Sequence, residues 1–278
     1  MYTQQQLNRV RNLTYSLSGI SLSDNKDVMM ANRLDKLKRI LENENVNELL
    51  DKVEKGQYVE VFINTFTTNK TNFFREEFHF DDLRDRVAQE AITQKKNLKI
   101  FCSASSTGEE PYSILMTLEH VKNSCSTLGF DYSLVATDID TSVLNHAQDG
   151  IYEWNKNAYD FPDWIQPAKF FKRKSHPTKD GDYLIKVKEH LQRKVNFNRL
   201  NLMANSYPFK EAEFDVVFCR NVLIYFSQED QNEILKKLFK TLKIGGTLYL
   251  GHSESPLELT SYVERYGQNI FVKVKEYI

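Results

Sequence analysis

Residues 97–116 read NLKIFCSASSTGEEPYSILM, an apolar run that breaks into small polar residues and resumes with helical spacing. A buried strand, a tight turn and an amphipathic helix form the opening half of a βαβ unit. The turn has the outline of a phosphate-binding loop without its chemistry. It holds one glycine, Gly108, and the helix after it starts with Glu109 and Glu110. Phosphate sites offer backbone N–H groups at the positive end of a helix dipole, and neither GxGxxG nor GxxxxGKS/T is present. Two carboxylates here suit a ligand that brings hydroxyls, an ammonium or a sulfonium. They also suit the helix itself, since acidic residues stabilise a helix N-terminus by about 0.3–1 kcal/mol each.

Downstream of residue 95, short apolar runs alternate with amphipathic segments. LKIF is followed by a helix over Glu109–Leu128, YSLVATD by a helix from Thr141, and FDVVFC by a helix over Gln228–Leu242 that leads into TLYLGH. That alternation predicts an α/β fold with a parallel sheet. Residues 170–202, with a KDGD turn at 179–182, read as an inserted β-hairpin subdomain. Upstream, apolar residues recur every three or four positions (Leu7, Val10, Leu13; Met30, Leu34, Leu37; Leu49, Leu50, Val53; Phe62, Ile63, Phe66), which predicts a small all-helical N-terminal domain. Ser23 or Asp24 is expected to cap its second helix and Asn45 its third. The expected division is a helical domain over 1–75 and a sheet domain over 76–278.

The crevice of an open α/β sheet lies outside the carboxyl ends of its strands. Those ends carry Ser103–Glu109, then Asp138 and Asp140, then Cys219, Arg220 and Asn221. Asp138 and Asp140 compete for two roles, acceptor for the hydroxyls of a ribose and cap of the following helix. Position at the strand tip favours ribose for Asp138 and the cap for Asp140. The ligand that fits is a nucleoside without phosphates carrying a cationic tail, and S-adenosylmethionine has that make-up.

Composition narrows the field further. The 278 residues are 27% charged and 41% hydrophobic with a net charge of −1, an ordinary globular balance without a basic excess to attract nucleic acid. Three cysteines, Cys102, Cys125 and Cys219, and six histidines show no ligand spacing, so no metal is expected and the thiols are read as reduced. His252 is expected to be a packed, hydrogen-bonded side chain. The opening MYTQQQLNRVRNL lacks an apolar signal core and no stretch approaches a membrane span, so a cytoplasmic protein without membrane insertion is expected.

Six segments in order, TTNKTNFFREEFHF (67–80), SSTGEEPYSILM (105–116), ATDIDTSVLNHAQDGIY (136–152), NLM (201–203), FDVVFCRNVLIYF (214–226) and GGTLYLGHSES (245–255), resemble the CheR family of chemotaxis receptor glutamate methyltransferases. SGISLSDNKDVMMANRL (18–34) is similar to that family's N-terminal domain. The resemblance implies a Rossmann-like class I S-adenosylmethionine-dependent methyltransferase domain. It implies methyl transfer to glutamates on the cytoplasmic helical bundle of chemoreceptors. It places Asn69, Thr71, Arg75, Glu109, Asp138, Asn201, Leu202, Arg220 and Asn221 at the cofactor.

A glutamate acceptor is ionised at neutral pH, so orientation and desolvation matter more than a general base. Arg75 offers a planar fork of donors to guide the incoming carboxylate, unless it is spent on a surface pair with Glu76 or Glu77. Tyr225 either supplies a hydroxyl near the methyl group or is an ordinary half-buried aromatic. Between Lys26 and Arg39, five basic residues against two acidic ones give 5 − 2 = +3. Arg33 and Lys36 on that face are expected to meet an acidic receptor helix, the alternative being a solvated surface. The chain is expected to act as a monomer. A same-fold methyltransferase with another acceptor, or a regulatory module that binds cofactor without turnover, are the competing functions.

Overall fold

The computed structural model describes residues 2–94, 96–124, 130–154, 161–179 and 181–277. Cys125, the last four residues of the expected Glu109–Leu128 helix and Asp180 of the KDGD turn lie outside the described residues.

Four helices, α1 (Gln4–Ser18), α2 (Asp27–Ile40), α3 (Val46–Glu54) and α4 (Val59–Phe66), close the N-terminal unit around the predicted apolar positions. Val10, Met30, Leu34, Leu37, Leu50 and Phe62 have no exposed surface, and Phe62 stacks on Phe66 at 4.6 Å. α1 opens on a capping box, with Gln6 N–H donating to Thr3 Oγ1 while Gln6 Oε1 accepts from Thr3 N. Asn45 caps α3 as expected. The expected cap of α2 does not form. A 3₁₀ turn over Asp24–Lys26 intervenes, and the Ser23 hydroxyl is spent on the side-chain oxygen of Asn25.

Then α5 (Phe78–Asp82) runs through a π-helical turn at Leu83–Val87 into α6 (Ala88–Thr93). The chain continues through β1 (Leu98–Cys102), α7 (Glu109–Ser124), β2 (Tyr132–Asp138), α8 (Thr141–Asp149), β3 (Ile151–Trp154), α9 (Pro167–Phe170), β4 (Phe171–Ser175), β5 (Tyr183–Val187), α10 (Glu189–Gln192) and β6 (Val195–Arg199). It finishes with β7 (Phe214–Cys219), α11 (Gln228–Thr241), β8 (Leu242–Leu250), β9 (Val263–Gly267) and β10 (Ile270–Lys273). The main sheet has the order β6-β2-β1-β7-β8-β10-β9, parallel from β6 to β8 and antiparallel beyond.

Strands of such a sheet are buried on both faces, which is why they read as unbroken apolar runs. Ile100, Cys102, Val216 and Phe218 pack toward α5–α7, whereas Phe101, Val217 and Cys219 pack toward α11 with Ile234 and Leu238. The chain steps from β1 outward to β2 and later returns to β7 on the other side. The switch point of this α/β fold therefore lies at the carboxyl ends of β1 and its neighbours.

The insertion differs from the 170–202 reading at both ends. A three-stranded antiparallel sheet, β3-β5-β4, begins at Ile151 and finishes at Val187, while Val195–Arg199 pairs in parallel with β2 in the main sheet. An edge strand with one solvated face alternates as a hairpin strand does, so VNFNR carries no signal of the sheet it joins.

Candidate active site

After β1 the chain turns sharply, with Ser103 N–H donating to Phe218 O at 2.9 Å and Ser105 N–H to Thr137 O at 2.7 Å. Gly108 ends the turn at φ +98°. A Cβ there would lie 2.7 Å from Tyr152 Oη and 2.8 Å from Ala147 Cβ, so only glycine fits. The two glutamates that follow diverge, as neighbours on a helix do at roughly 100° per residue. Glu110 lines the crevice, accepting from Arg220 Nη1 at 2.7 Å and Cys102 Sγ at 3.4 Å. Glu109, the residue expected there, lies outside the lining and accepts from Thr107 Oγ1 at 2.6 Å. Burial raises the pKa of both, with Arg220 opposing the shift at Glu110.

At the tip of β2, Asp138 is buried and lines the crevice. Its Oδ2 accepts from Ser106 N at 2.8 Å and its Oδ1 from Asp140 N at 3.0 Å. A carboxylate has about four acceptor sites, so each oxygen keeps room for one more donor. Burial pushes its pKa up to about 6, against the backbone N–H groups of Asp140, Ser106 and Ile139. Asp140 takes the cap, accepting from Ser142 N and Val143 N, and its other oxygen accepts from Thr67 Oγ1 and Asn69 Nδ2, both at 2.7 Å.

Residues 67–76 run from the end of α4 across the crevice, where Asn69, Thr71 and Arg75 join the lining. Arg75 is exposed and sits between two residues at positive φ, Phe74 (+52°) and Glu76 (+58°). Phe74 N–H is held by Ser113 Oγ at 2.9 Å, and Arg75 O accepts from Arg220 Nη2. The surface pair with Glu76 does not form, because Glu76 points inward and accepts from Asn221 Nδ2 at 3.0 Å, Arg220 Nη2 at 3.1 Å and His252 N at 3.2 Å. Burial works to raise the pKa of Glu76, but Arg220 and these donors hold it below the ordinary value. Arg75 donates only to Lys70 O, and no carboxylate among the described residues pairs with it.

The end of β7 supplies Arg220, its guanidinium wholly buried between Glu76 and Glu110, and Asn221, in the left-handed region at φ +56°. Glu254 organises this corner by accepting from Asn221 N, Val222 N, Leu223 N and Gly251 N at 2.6–2.9 Å. Tyr225 ends the short 3₁₀ turn that follows and lines the crevice, half-buried. Asn201 and Leu202, after β6, line its far side. His252 is exposed, not packed, and its Nδ1 meets Gln268 Nε2 at 2.7 Å.

Of the two expected receptor contacts, Lys36 is exposed, but Arg33 turns inward. It donates to Phe66 O and, at 2.9 Å, to Thr68 Oγ1, and burial lowers its pKa. An arginine on a helix flank reaches carbonyls that α4 leaves open at its C-terminus, a contact invisible to charge counting. Sequence reading also missed Glu76, Glu110 and Glu254. Their types are visible in REE, GEEP and GHSES, but nothing in a motif says which acid turns inward.

A doubly wound sheet whose switch-point crevice is lined by the strand-tip Asp138 and by Glu110, with Lys70, Arg75 and Arg220 beside them, is the frame on which class I S-adenosylmethionine-dependent methyltransferases are built. Comparison with known proteins then specifies the family. The model for the CheR methyltransferase, SAM binding domain, matches residues 69–272, and that for the CheR methyltransferase, all-alpha domain, matches residues 5–67. A chemotaxis protein methyltransferase from Escherichia coli (strain K12) is 36% identical over 96% of this chain and 90% of its own. Chemotaxis protein methyltransferase 2 of Pseudomonas aeruginosa is 34% identical over 97% and 93%. The chain belongs to the CheR methyltransferase family, and it is an S-adenosylmethionine-dependent enzyme.

Proposed function

We propose that the protein transfers the methyl group of S-adenosylmethionine to glutamate side chains on the cytoplasmic helical bundle of chemoreceptors, acting as a cytoplasmic monomer in chemotaxis adaptation. The relatives named above are chemotaxis protein methyltransferases, and no helix among the described residues is long and apolar enough to cross a membrane. The observation that supports the reading best is Arg75, an exposed guanidinium at the crevice that forms no ion pair within salt-bridge distance among the described residues, between two inward-held neighbours.

The division of labour follows from charge. Asp138 has free acceptor sites for the ribose hydroxyls, and Glu110 presents a carboxylate to the cationic tail. Asn201 and Leu202 form the nucleoside side, while Asn69, Thr71, Arg220 and Asn221 complete the walls. The cofactor supplies an electrophilic methyl group on a sulfonium. A glutamate oxygen bonds that carbon as the carbon–sulfur bond breaks, leaving its electron pair on sulfur. Arg75 forms a bidentate pair with the incoming carboxylate and orients it, and Tyr225 stands beside that path. We assign recognition of the receptor to the helical domain, with Lys36 on its exposed face, and chemistry to the sheet domain together with the segment at the end of residues 1–75 that brings Asn69, Thr71 and Arg75 to the crevice.

Incubation with methyl-labelled S-adenosylmethionine and receptor cytoplasmic fragments tests the reading. Label on receptor glutamates that mild alkali releases, as it does from esters, supports it. Alkali-stable label, label on another acceptor, or cofactor binding without transfer refutes it.

A further inference from the structure

Asn201 is on the crevice, yet its amide is committed elsewhere: Nδ2 donates to Leu17 O at 3.0 Å and Oδ1 accepts from Met203 N at 2.9 Å. Leu17 belongs to the last turn of α1, so the side chain ties the helical domain to the sheet where the nucleoside side of the crevice begins. Four residues on, Ser21 N–H donates to Tyr225 O at 2.8 Å. Between these two anchors the chain reverses at Gly19 (φ +76°), where a Cβ would stand 3.0 Å from both Met203 Sδ and Phe226 Cε1. The reversal brings Ser18 and Ile20 onto the crevice. Ile20 is half-buried there, an apolar side chain where the rest of the helical domain's contribution, from Ser18 and from the segment after α4, is polar.

We propose that the α1–α2 connection is a wall of the cofactor site that recognises the nucleoside through Ile20, and that Asn201 is the residue that positions it. Cofactor binding and seating of the helical domain on the sheet are then one event. Strand order sets the β6 end next to β2 and Asp138, and the two anchors stretch the connection from that β6 end, at Asn201, to the turn after β7, at Tyr225. A group buried against one face of the base contributes affinity in proportion to the apolar area it covers. This inference rests on S-adenosylmethionine as cofactor.

The test uses the full chain, with S-adenosylhomocysteine and methylthioadenosine, which lacks the amino-acid tail, as probes in calorimetry. Ile20→Ala weakens both by the same factor, roughly five- to twentyfold for the lost apolar contact. An unchanged affinity for both, or loss for S-adenosylhomocysteine alone, overturns the assignment to the nucleoside. In the wild-type protein, S-adenosylhomocysteine slows hydrogen exchange of the Ser21 amide, and in Asn201→Ala that protection disappears while the amides of β1 and β7 stay protected. Exchange at Ser21 that ignores the ligand overturns the coupling without the need for any variant. Failure of the wild type to bind S-adenosylhomocysteine overturns the cofactor assignment as well, so the two failures are distinguishable.

Discussion

With Asp138 as the proposed ribose acceptor, cofactor affinity should depend on pH, and the direction follows from its surroundings. Burial between the turn after β1 and the start of α8 raises its pKa to about 6, with Asp140 adding repulsion and the N–H groups of Ser106, Ile139 and Asp140 opposing. Two ribose hydroxyls donate more strongly, and both at once, to the charged form, so binding pulls the pKa back toward an ordinary value of about 4. Between those values the free protein holds a proton that the complex releases, and affinity falls as pH falls. At pH 5 the loss is about tenfold relative to pH 7.5, or about 1.4 kcal/mol. Calorimetric titration with S-adenosylhomocysteine from pH 5 to 8 measures it.

Asp138→Asn keeps the shape but removes the titration. It should bind about 1.5–3 kcal/mol more weakly at pH 7.5 and show a flatter profile, with Glu109, Glu110 and Glu254, also raised by burial, left to contribute. The same shift bears on folding with the opposite consequence. A carboxyl raised from about 4 unfolded to about 6 folded favours the native state below pH 4, and that contribution is lost as pH rises through 6. The ligand-free Asn variant should therefore lose the wild type's fall in urea stability as pH rises through 6, although its NH2 group must face the N–H of Ser106 or Asp140 and lowers stability at every pH. A wild-type affinity that is flat from pH 5 to 8, or an equal slope in the variant, would refute the reasoning.

Arg75→Ala should lower kcat by about 10²-fold at saturating cofactor while S-adenosylhomocysteine affinity moves much less, the outcome expected of the proposed role of the guanidinium toward the incoming carboxylate; normal turnover would remove it from catalysis. Lys36→Glu should raise the KM for receptor and weaken its salt dependence, whereas Arg33, held by Phe66 O and Thr68, should perturb cofactor binding when changed to Glu; steady-state kinetics against salt, with calorimetry, separates the two. Gly108→Ala should cost about 2–4 kcal/mol of stability through its positive φ and the clash with Tyr152 and Ala147, read from urea unfolding.

The sequence by itself determined the layers. Apolar runs such as LKIFC and FDVVFC are buried on both faces wherever helices cover a parallel sheet, and Leu7, Val10 and Leu13 repeat with the helical period, so these elements follow from local periodicity and burial. Asp138 at a strand tip and Asp140 at a helix start were separable for the same local reason. The choice between adjacent carboxylates was not. Glu109 and Glu110 share every compositional feature, and only the azimuth of α7 against the buried Arg220 turns one into the crevice and the other toward Thr107. Arg33 reads as surface charge until α4 presents the carbonyl of Phe66, and VNFNR reads as part of an inserted hairpin until β2 offers it an edge. Each of these depends on a partner distant in sequence, and the free energy that decides them, desolvation of a charge against the donors that meet it, exists only once the chain has folded.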